Sequence, residues 1–263
     1  MKRPNFNFLA LGKNIKDLFY FLGSLFHLGL ENIFWIFHAP LKKNIILEQI
    51  EKTVIKSLPI VSLISLFIGI ILALQTAVQM QRLGSEMYIA SIVALSVVRE
   101  LGPVITALIV AGRSGAAITA EIGSMLVTEQ IDALKSLAVN PVHYLVVPRF
   151  LALSFMLPVL TLYANIIGII GGYLICVYKL SISSTMYINI TFEALRFKDL
   201  FSGLIKALFF GMIIALVSCL EGFRVEGGAE GVGKATRNSV VASFILIITA
   251  DCIFTAIFYF VFP

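Results

Sequence analysis

The stretch YIASIVALSVVRELGPVITALIVAG, residues 88–112, decides the fold of this protein. It is long enough to cross a bilayer as a helix, which takes about 20 mostly apolar residues. The stretch nevertheless carries Arg99 and Glu100 at its middle, followed by Pro103. A charged side chain at the bilayer centre costs about 3 kcal/mol by insertion scales, so both charges need a partner or an aqueous cavity. The sequence therefore predicts a membrane-spanning helix that contributes to a polar site.

The whole chain has the composition of an integral membrane protein. Of its 263 residues, 59% are hydrophobic and 13% are charged, and the mean hydropathy is +0.97. These values lie outside the range of soluble domains with a polar surface. The predicted fold class is an all-α integral membrane protein with five transmembrane helices. These spans are predicted at 58–80, 88–112, 150–177, 200–220 and 240–262.

The distribution of basic residues predicts the orientation of the chain. If the N-terminus is cytoplasmic, fourteen Lys and Arg fall in inside segments and four fall in outside loops. Arg99 and Lys206 lie within spans. An excess of Lys and Arg marks cytoplasmic loops, so we expect the N-terminus inside and the C-terminus outside. The net charge of +5 is thus explained by topology, and no nucleic-acid partner is expected.

Residues 17–40, DLFYFLGSLFHLGLENIFWIFHAP, precede the first predicted span and allow two interpretations. The stretch is long and aromatic enough to span, yet it contains His27, Glu31 and Asn32. A spanning helix would also split the basic residues less cleanly between the two sides. We therefore favour an interfacial helix anchored by Trp35 and the flanking lysines.

The segment that follows residues 88–112 predicts an amphipathic helix between the second and third spans, from about Thr119 to Val139. Its apolar stripe consists of Val127, Ile131, Leu134 and Ala138, and Asn140 and Pro141 end it. The opposite face carries Glu129, Asp132 and Lys135 at successive i+3 positions. Neighbouring like charges at positions 129 and 132 cost a few tenths of a kcal/mol on an isolated helix. The face is either a solvated surface or a docking site for a basic partner.

Other polar residues within the spans indicate further parts of the polar site. Asp251 lies halfway along the fifth span and is the predicted partner of Arg99, while Gln75 and Gln79 add polar groups on the first span. Such a site either accepts the headgroup of an amphiphile or is a buried ion pair that only fixes helix packing. Gly168 and Gly172 form a G-x-x-x-G pattern, which predicts a close helix contact within the chain or with a second copy.

The segment GAEGVGKAT, residues 228–236, comes within one residue of a nucleotide-binding loop. Ala235 stands where that loop needs a hydroxyl, and no strand or soluble α/β domain surrounds it. We therefore expect a Gly-rich turn with a helix restarting near Ala235 and Thr236. The scattered Cys176, Cys219 and Cys252 and the three histidines predict no metal site, and no cofactor is expected.

Two stretches together resemble a known family. They are RELGPVITALIVAGRSGAAITAEIGSMLVTEQIDALKSLAVNP from Arg99 and EGFRVEGGAEGVGKATRNSVVASFILIITAD from Glu221. Both are similar to the MlaE (YrbE) family of ABC transporter permeases, which has a relative in the trigalactosyldiacylglycerol permease of the chloroplast envelope. The resemblance covers about Lys56 to the C-terminus. It divides the chain into an N-terminal interfacial region, 1–56, and a permease domain, 57–263.

The resemblance implies partners and a role. A homodimer with five spans per subunit would bind two copies of a separate ATPase and a mammalian-cell-entry domain protein on the far side, and would move phospholipid or another polar lipid. Carried onto this sequence, residues 119–139 resemble the coupling helix, with Glu129, Gln130 and Asp132 as ATPase contacts. The residue usage and the absence of a transit peptide suit a plastid-encoded envelope protein or a bacterial inner-membrane protein. A proton-coupled secondary transporter is the alternative, and a lipid-modifying enzyme has no supporting constellation of residues.

Overall fold

The computed structural model describes residues 8–38, 40, 43–53 and 55–261, and its regular structure within those ranges is entirely helical. Five helical runs in this part of the chain are long and apolar enough to cross a membrane, which confirms the predicted fold class. Their bounds are Leu58–Arg82 (span 1), Glu86–Val127 (span 2), Val142–Tyr178 (span 3), Phe197–Phe223 (span 4) and Gly228–Val261 (span 5).

Short helices lie before and between the spans. Helix Lys43–Thr53 and the turn Ile55–Ser57 lead into span 1, helix Gln130–Ser136 joins spans 2 and 3, and helix Ser184–Ala194 joins spans 3 and 4. Because successive spans run in opposite directions, the 128–141 and 224–227 connections lie at the same end of the bundle. We term this the near end. The far end carries the connections 83–85 and 179–196.

Spans 2, 3 and 5 extend beyond their predicted bounds at the near end. Span 2 continues as a helix through residues that the hydropathy pattern assigned to the connection. Apolar content marks only the part of a helix that lies in hydrocarbon, whereas backbone hydrogen bonds continue the helix until a residue breaks it. Two π-helical segments interrupt span 2, at Val97–Leu101 and Ala111–Gly115.

Glycines allow spans 1 and 3 to pack with their backbones in contact. A Cβ atom added at Gly69 would lie 1.8 Å from the carbonyl oxygen of Gly168, and one added at Gly171 would lie 2.3 Å from that of Leu66. Gly172 faces Tyr187 and Val93. A Cβ at Gly168 would lie 3.1 Å from Val97 Cγ1 and 3.5 Å from the Ser65 carbonyl oxygen, so the G-x-x-x-G pattern lies where span 3 packs closely against spans 1 and 2 of this chain.

Residues 17–38 belong to one long helix, Phe8–His38, which lies against the near end. The guanidinium carbon of Arg224 is 5.4 Å from the Tyr20 ring centroid, and a Cβ at Gly29 would touch Leu216 at 3.6 Å. The rings of Trp35 and His143 are 5.6 Å apart. Because these three contacts lie at one end of the bundle, the arrangement favours the interfacial interpretation. Residue 39 of the predicted stretch lies outside the described residues.

Two sequence predictions about the near end are wrong. Residues 228–236 do not form a turn, because span 5 begins at Gly228 and continues through them. The turn lies at 224–227 and ends at the first residue of span 5, where Gly227 and Gly228 have φ angles of +85° and +70° that suit residues without a side chain.

The second correction concerns residues 119–139, which are not one helix. Span 2 runs to Val127, Glu129 takes a φ of +59°, and a separate helix, Gln130–Ser136, follows. Of the predicted apolar stripe, Ile131 is buried and Leu134 is half-buried, whereas Val127 and Ala138 are exposed. A left-handed residue turns the chain and rotates the second helix, so the stripe does not continue across the break.

Candidate functional site

A π-helical turn in span 2 presents Arg99 and Glu100 to the neighbouring spans. Within Val97–Leu101 the backbone N–H of Gly102 donates to the carbonyl oxygen of Val97, five residues earlier. Pro103 has no N–H to continue the α-helical ladder at this point. Such single π-turns often occur at functional sites, because the extra residue per turn changes the direction of the side chains around it.

Span 4 approaches this turn closely at a glycine. A Cβ at Gly203 would lie 2.4 Å from the carbonyl oxygen of Val98 and 3.3 Å from Pro103 Cγ. The missing side chain therefore lets the two backbones meet. Asp199 and Lys206 lie about one turn before and one turn after Gly203, and this spacing brings their charges level with Arg99 and Glu100.

Arg99 is paired with Asp199. Its Nε donates to Asp199 Oδ1 at 2.6 Å, and a second guanidinium nitrogen forms an ion pair with the same oxygen. The other carboxylate oxygen accepts the backbone N–H of Arg196 at 3.0 Å, as part of the cap of span 4. The Asp199 side chain is 3% exposed and that of Arg99 is 53% exposed. A buried carboxylate thus fixes an arginine whose remaining donors are accessible.

Lys206 is the centre of a second network. Its side chain is 2% exposed, and Nζ donates to Glu100 Oε2 at 2.6 Å and to Thr255 Oγ1 at 2.7 Å. Nζ also lies 2.9 Å from Asp251 Oδ1, an ion-pair contact without the angle of a hydrogen bond. One buried ammonium therefore faces two carboxylates and a hydroxyl, and it joins spans 2, 4 and 5.

The predicted Arg99–Asp251 pair is wrong. Span 4 lies closer to Arg99 than span 5 does at this level, and the nearer carboxylate, Asp199, takes the arginine, while Asp251 faces Lys206. Gln75 and Gln79 lie on the exposed face of span 1 and do not line the cleft described next. The structure therefore brings Arg99, Glu100 and Asp251 into adjoining networks and leaves the two glutamines elsewhere.

A cleft of about 490 Å³ opens beside these networks. Its wall combines charged and hydroxyl side chains with two aromatic rings near the end of span 5. The lining residues are Arg99, Glu100, Lys198, Asp199, Ser202, Lys206, Thr255, Phe258 and Tyr259. Because Asp199 is in the first turn of span 4, the cleft lies in the far half of the bundle. A guanidinium beside aromatic rings can bind a phosphate whose apolar substituent lies against the rings.

Sequence reasoning missed Asp199 and gave Lys206 no partner. A signal was present for Lys206, since an ammonium within a span requires a carboxylate at similar depth. Asp199 lies one residue before the predicted start of span 4, and the hydropathy pattern assigns it no partner. Its pairing with Arg99 depends on the rotation of span 4, which apolar content does not reveal.

The predicted ATPase-contact residues are accessible. Glu129, Gln130 and Asp132 are exposed at the turn and on the helix Gln130–Ser136. Asp132 forms an ion pair with Lys135 at 2.9 Å, and Gln130 donates to Thr128 Oγ1 at 3.0 Å. These contacts order the face, which remains open to a partner.

A buried arginine attaches the end of span 2 to the start of span 3. The Arg149 side chain is 4% exposed, and its Nη2 donates to Glu121 Oε2 at 2.7 Å. Its Nη1 donates to the carbonyl oxygen of Leu145 at 2.8 Å. The helix Gln130–Ser136 is therefore carried between two rigidly joined spans.

Among the described residues, no group of three or more His, Cys, Asp or Glu side chains is arranged to hold a metal ion. The five spans and the ion-paired cleft between them define a multi-pass α-helical membrane protein with the architecture of a transport subunit. Residues 46–257 match the family described as Permease MlaE. The chain belongs to the MlaE permease family.

Known relatives come from bacteria and from a plant. A probable ABC transporter permease protein of Rickettsia prowazekii is 46% identical over 224 residues, which cover 85% of this chain and 86% of that protein. The intermembrane phospholipid transport system permease protein MlaE of Haemophilus influenzae is 36% identical over 262 residues, or 96% of this chain and 98% of the relative. The chloroplastic protein trigalactosyldiacylglycerol 1 of Arabidopsis thaliana is 39% identical over 213 residues, which cover 81% of this chain and 61% of that protein.

Proposed function

We propose that this chain is the membrane-spanning subunit of an ABC transporter that moves phospholipid or another polar lipid between membranes. The observation that carries the proposal is the cleft, in which buried Asp199 holds the accessible guanidinium of Arg99 beside Phe258 and Tyr259. A phosphate or other polar headgroup binds the arginine, and the acyl chains lie along the exposed apolar faces of the spans. The names of the relatives in Haemophilus and Arabidopsis support this class of cargo.

The energy source is a separate ATPase that docks at the near end. Residues 228–236 are helical and follow no strand, so they lack the context of a phosphate-binding loop. Glu129, Gln130 and Asp132 provide an exposed face for a basic surface on the ATPase. The near end with the N-terminal helix then faces the ATP-containing side, cytoplasm or stroma, of a bacterial inner membrane or a plastid inner envelope.

The remaining partners are those that the resemblance to the MlaE permease family implies. A second copy of the chain forms a homodimer, and a mammalian-cell-entry domain protein receives or delivers lipid at the far end. Span 5 supports an extended membrane-facing or subunit-facing surface, because Val241, Ile245 and Ile248 on it are exposed. These apolar side chains require lipid or another apolar helix around them.

Span 2 couples the two ends mechanically. The same helix carries Arg99 and Glu100 in the far half and ends at Val127, next to the turn that leads to the proposed ATPase contacts. ATPase closure displaces the near end of span 2, and the helix transmits that displacement to the cleft. The two states of the ATPase thereby select between open and closed forms of the cleft.

Reconstitution tests the transport proposal. Proteoliposomes holding the permease and its co-purified partners should transfer labelled phospholipid with ATP, and Arg99→Gln should lower the initial rate at least about tenfold, about 1.4 kcal/mol. Gln79→Ala is the matched control, since Gln79 lies on the exposed face of span 1 away from the cleft. Equal rates for the wild type and Arg99→Gln would rule out the proposed role of the cleft.

Co-purification tests the docking proposal. Reversing both charges, Glu129→Lys with Asp132→Lys, should abolish co-purification of the ATPase while membrane insertion stays intact. Glu193→Lys is the control because Glu193 is exposed on the far-end helix Ser184–Ala194. Retention of the ATPase by the doubly reversed variant would contradict the docking assignment.

The alternative is a secondary transporter in which protons drive the cargo. The Lys206 network is the observation that supports this alternative. Two carboxylates share one buried ammonium, so a proton could bind one carboxylate in place of its contact with Lys206. This alternative expects the purified chain alone to transport lipid in a pH gradient without ATP. The ABC proposal expects transport only with the ATPase and ATP.

A further inference from the structure

A second cavity, of about 500 Å³, lies at the near end between the N-terminal helix and the last turns of span 4. Its wall is formed by Phe19, Tyr20, Gly23, Ser24, His27, Leu28, Leu220 and Arg224. Lys206 of the cleft and Arg224 here are eighteen positions apart on and just beyond one helix, which corresponds to about 27 Å along its axis. The cavity is therefore separate from the cleft.

Arg224 is the charged group of this cavity and is half-buried. Its guanidinium carbon lies 5.4 Å from the Tyr20 ring centroid and 5.7 Å from that of Phe21, so two rings hold it in place. Within the described residues it forms no ion pair, and Glu221, one turn earlier, lies beyond ion-pair distance. Glu221 is close enough to interact electrostatically with Arg224 but does not occupy its donors. A guanidinium that is held by two rings at a membrane boundary, with donors outside any ion pair among the described residues, can bind an anion.

The surroundings of Arg224 identify the kind of anion. Phe19 is 70% exposed, Tyr20 is 72% exposed and Phe26 is 70% exposed on the same helix. Aromatic side chains at this density need hydrocarbon around them, which a soluble anion or a charged protein surface does not supply. A ligand that satisfies both requirements carries a phosphate for Arg224 and acyl chains for the rings.

We propose that this cavity binds a glycerophospholipid from the near-end leaflet, with its phosphate on Arg224. The bound lipid fills the space between the N-terminal helix and span 4 and holds the two together. It is a structural lipid rather than cargo, because the cavity lies at the opposite end of span 4 from the cleft. The proposal stands independently of the transport function.

Native mass spectrometry of the delipidated full-chain complex in detergent tests the proposal, with phosphatidylglycerol as the probe. An Arg99→Gln background removes the cleft arginine, so that any remaining specific adduct reports the near-end cavity. Adding Arg224→Gln should weaken that adduct at least about tenfold, about 1.4 kcal/mol. Tyr20→Ala should weaken it as well, and because the Tyr20 side chain is 72% exposed this variant avoids disturbing the core.

Two further arms exclude other occupants. Inorganic phosphate should not displace the lipid, and diacylglycerol, which lacks the phosphate, should not bind; displacement by phosphate would show a free-anion site and overturn the proposal. Lipid binding that appears only after the ATPase is removed would assign Arg224 to a protein contact and would also overturn it. Unchanged phosphatidylglycerol binding in the Arg224→Gln variant would likewise overturn the proposal. Loss of transport in Arg99→Gln alone bears only on the cleft.

Discussion

Replacing Lys206 by Met should destabilise the protein strongly although it removes a single charge. The lysine side chain is 2% exposed, and its removal leaves Glu100 and Asp251 facing each other without a cation. Breaking a buried ion pair costs about 3–5 kcal/mol. Glu100 is 41% exposed, so water screens part of the repulsion, and we expect the lower end, about 3 kcal/mol.

Thermal unfolding in detergent measures this loss. Cys176 and Cys219 are buried, so a thiol-reactive dye reports their exposure on unfolding, and Cys252→Ser removes the exposed thiol in advance. At about 2–4 °C per kcal/mol for a chain of this size class, Lys206→Met should lower the midpoint by about 6–12 °C. Lys179→Met, at an exposed far-end position, is the control and should leave the midpoint unchanged.

A rescue experiment distinguishes charge imbalance from lost packing. Adding Glu100→Gln and Asp251→Asn to Lys206→Met removes the two uncompensated carboxylates, so most of the midpoint should return while lipid transport stays low. An unchanged midpoint in Lys206→Met, or a triple variant no more stable than the single one, would refute the reasoning. The two networks also make a prediction about double variants. The losses in free energy of unfolding caused by Arg99→Gln and Asp251→Asn should add to within about 0.5 kcal/mol, whereas those of Arg99→Gln and Asp199→Asn should not add, because Arg99 and Asp199 are in direct contact.

Three further predictions concern the rest of the structure. Gly69→Ala should prevent folding or lower the unfolding midpoint severely, because its Cβ would lie 1.8 Å from a backbone oxygen of span 3. Gly23→Ala is the control and should be tolerated, since no atom lies within 4 Å of the added Cβ. Equal midpoints for the two variants would contradict the close contact between spans 1 and 3. Glu121→Gln should destabilise the protein by about 3 kcal/mol, because it leaves the buried Arg149 cation without its carboxylate. Arg149→Met should destabilise it by less, because it removes the buried charge itself; thermal melts in which Arg149→Met is the less stable variant would refute this assignment. The fluorescence of Trp35, the single tryptophan, should be quenched more by phospholipids brominated near the headgroup than near the chain end; stronger deep quenching would place the N-terminal helix across the bilayer.

The sequence predicted the fold class because apolar content is a local property. Each span needs a run of apolar residues, and such runs are visible without knowing what lies beside them. The end of the connecting helix before Asn140 and Pro141 was also visible, and the structure ends the helix at Ser136. The break at Glu129 was not visible, since glutamate gives no sign of a left-handed conformation. The Gly-Gly pair at 227–228 did mark a turn, but the further glycines at 231 and 233 made the turn look longer than it is.

The tertiary structure alone decided which charges meet. From the sequence, Arg99 and Asp251 lie at matching depths, and any carboxylate at that depth is an equally good partner. The π-turn at Val97–Leu101 and the close approach at Gly203 set the rotation and depth of spans 2 and 4. As a result Asp199 pairs with Arg99, and Lys206 forms ion pairs with Glu100 and Asp251. Apolar patterning fixes that a helix crosses the membrane, but its rotation and depth relative to its neighbours depend on side-chain packing between residues distant in sequence.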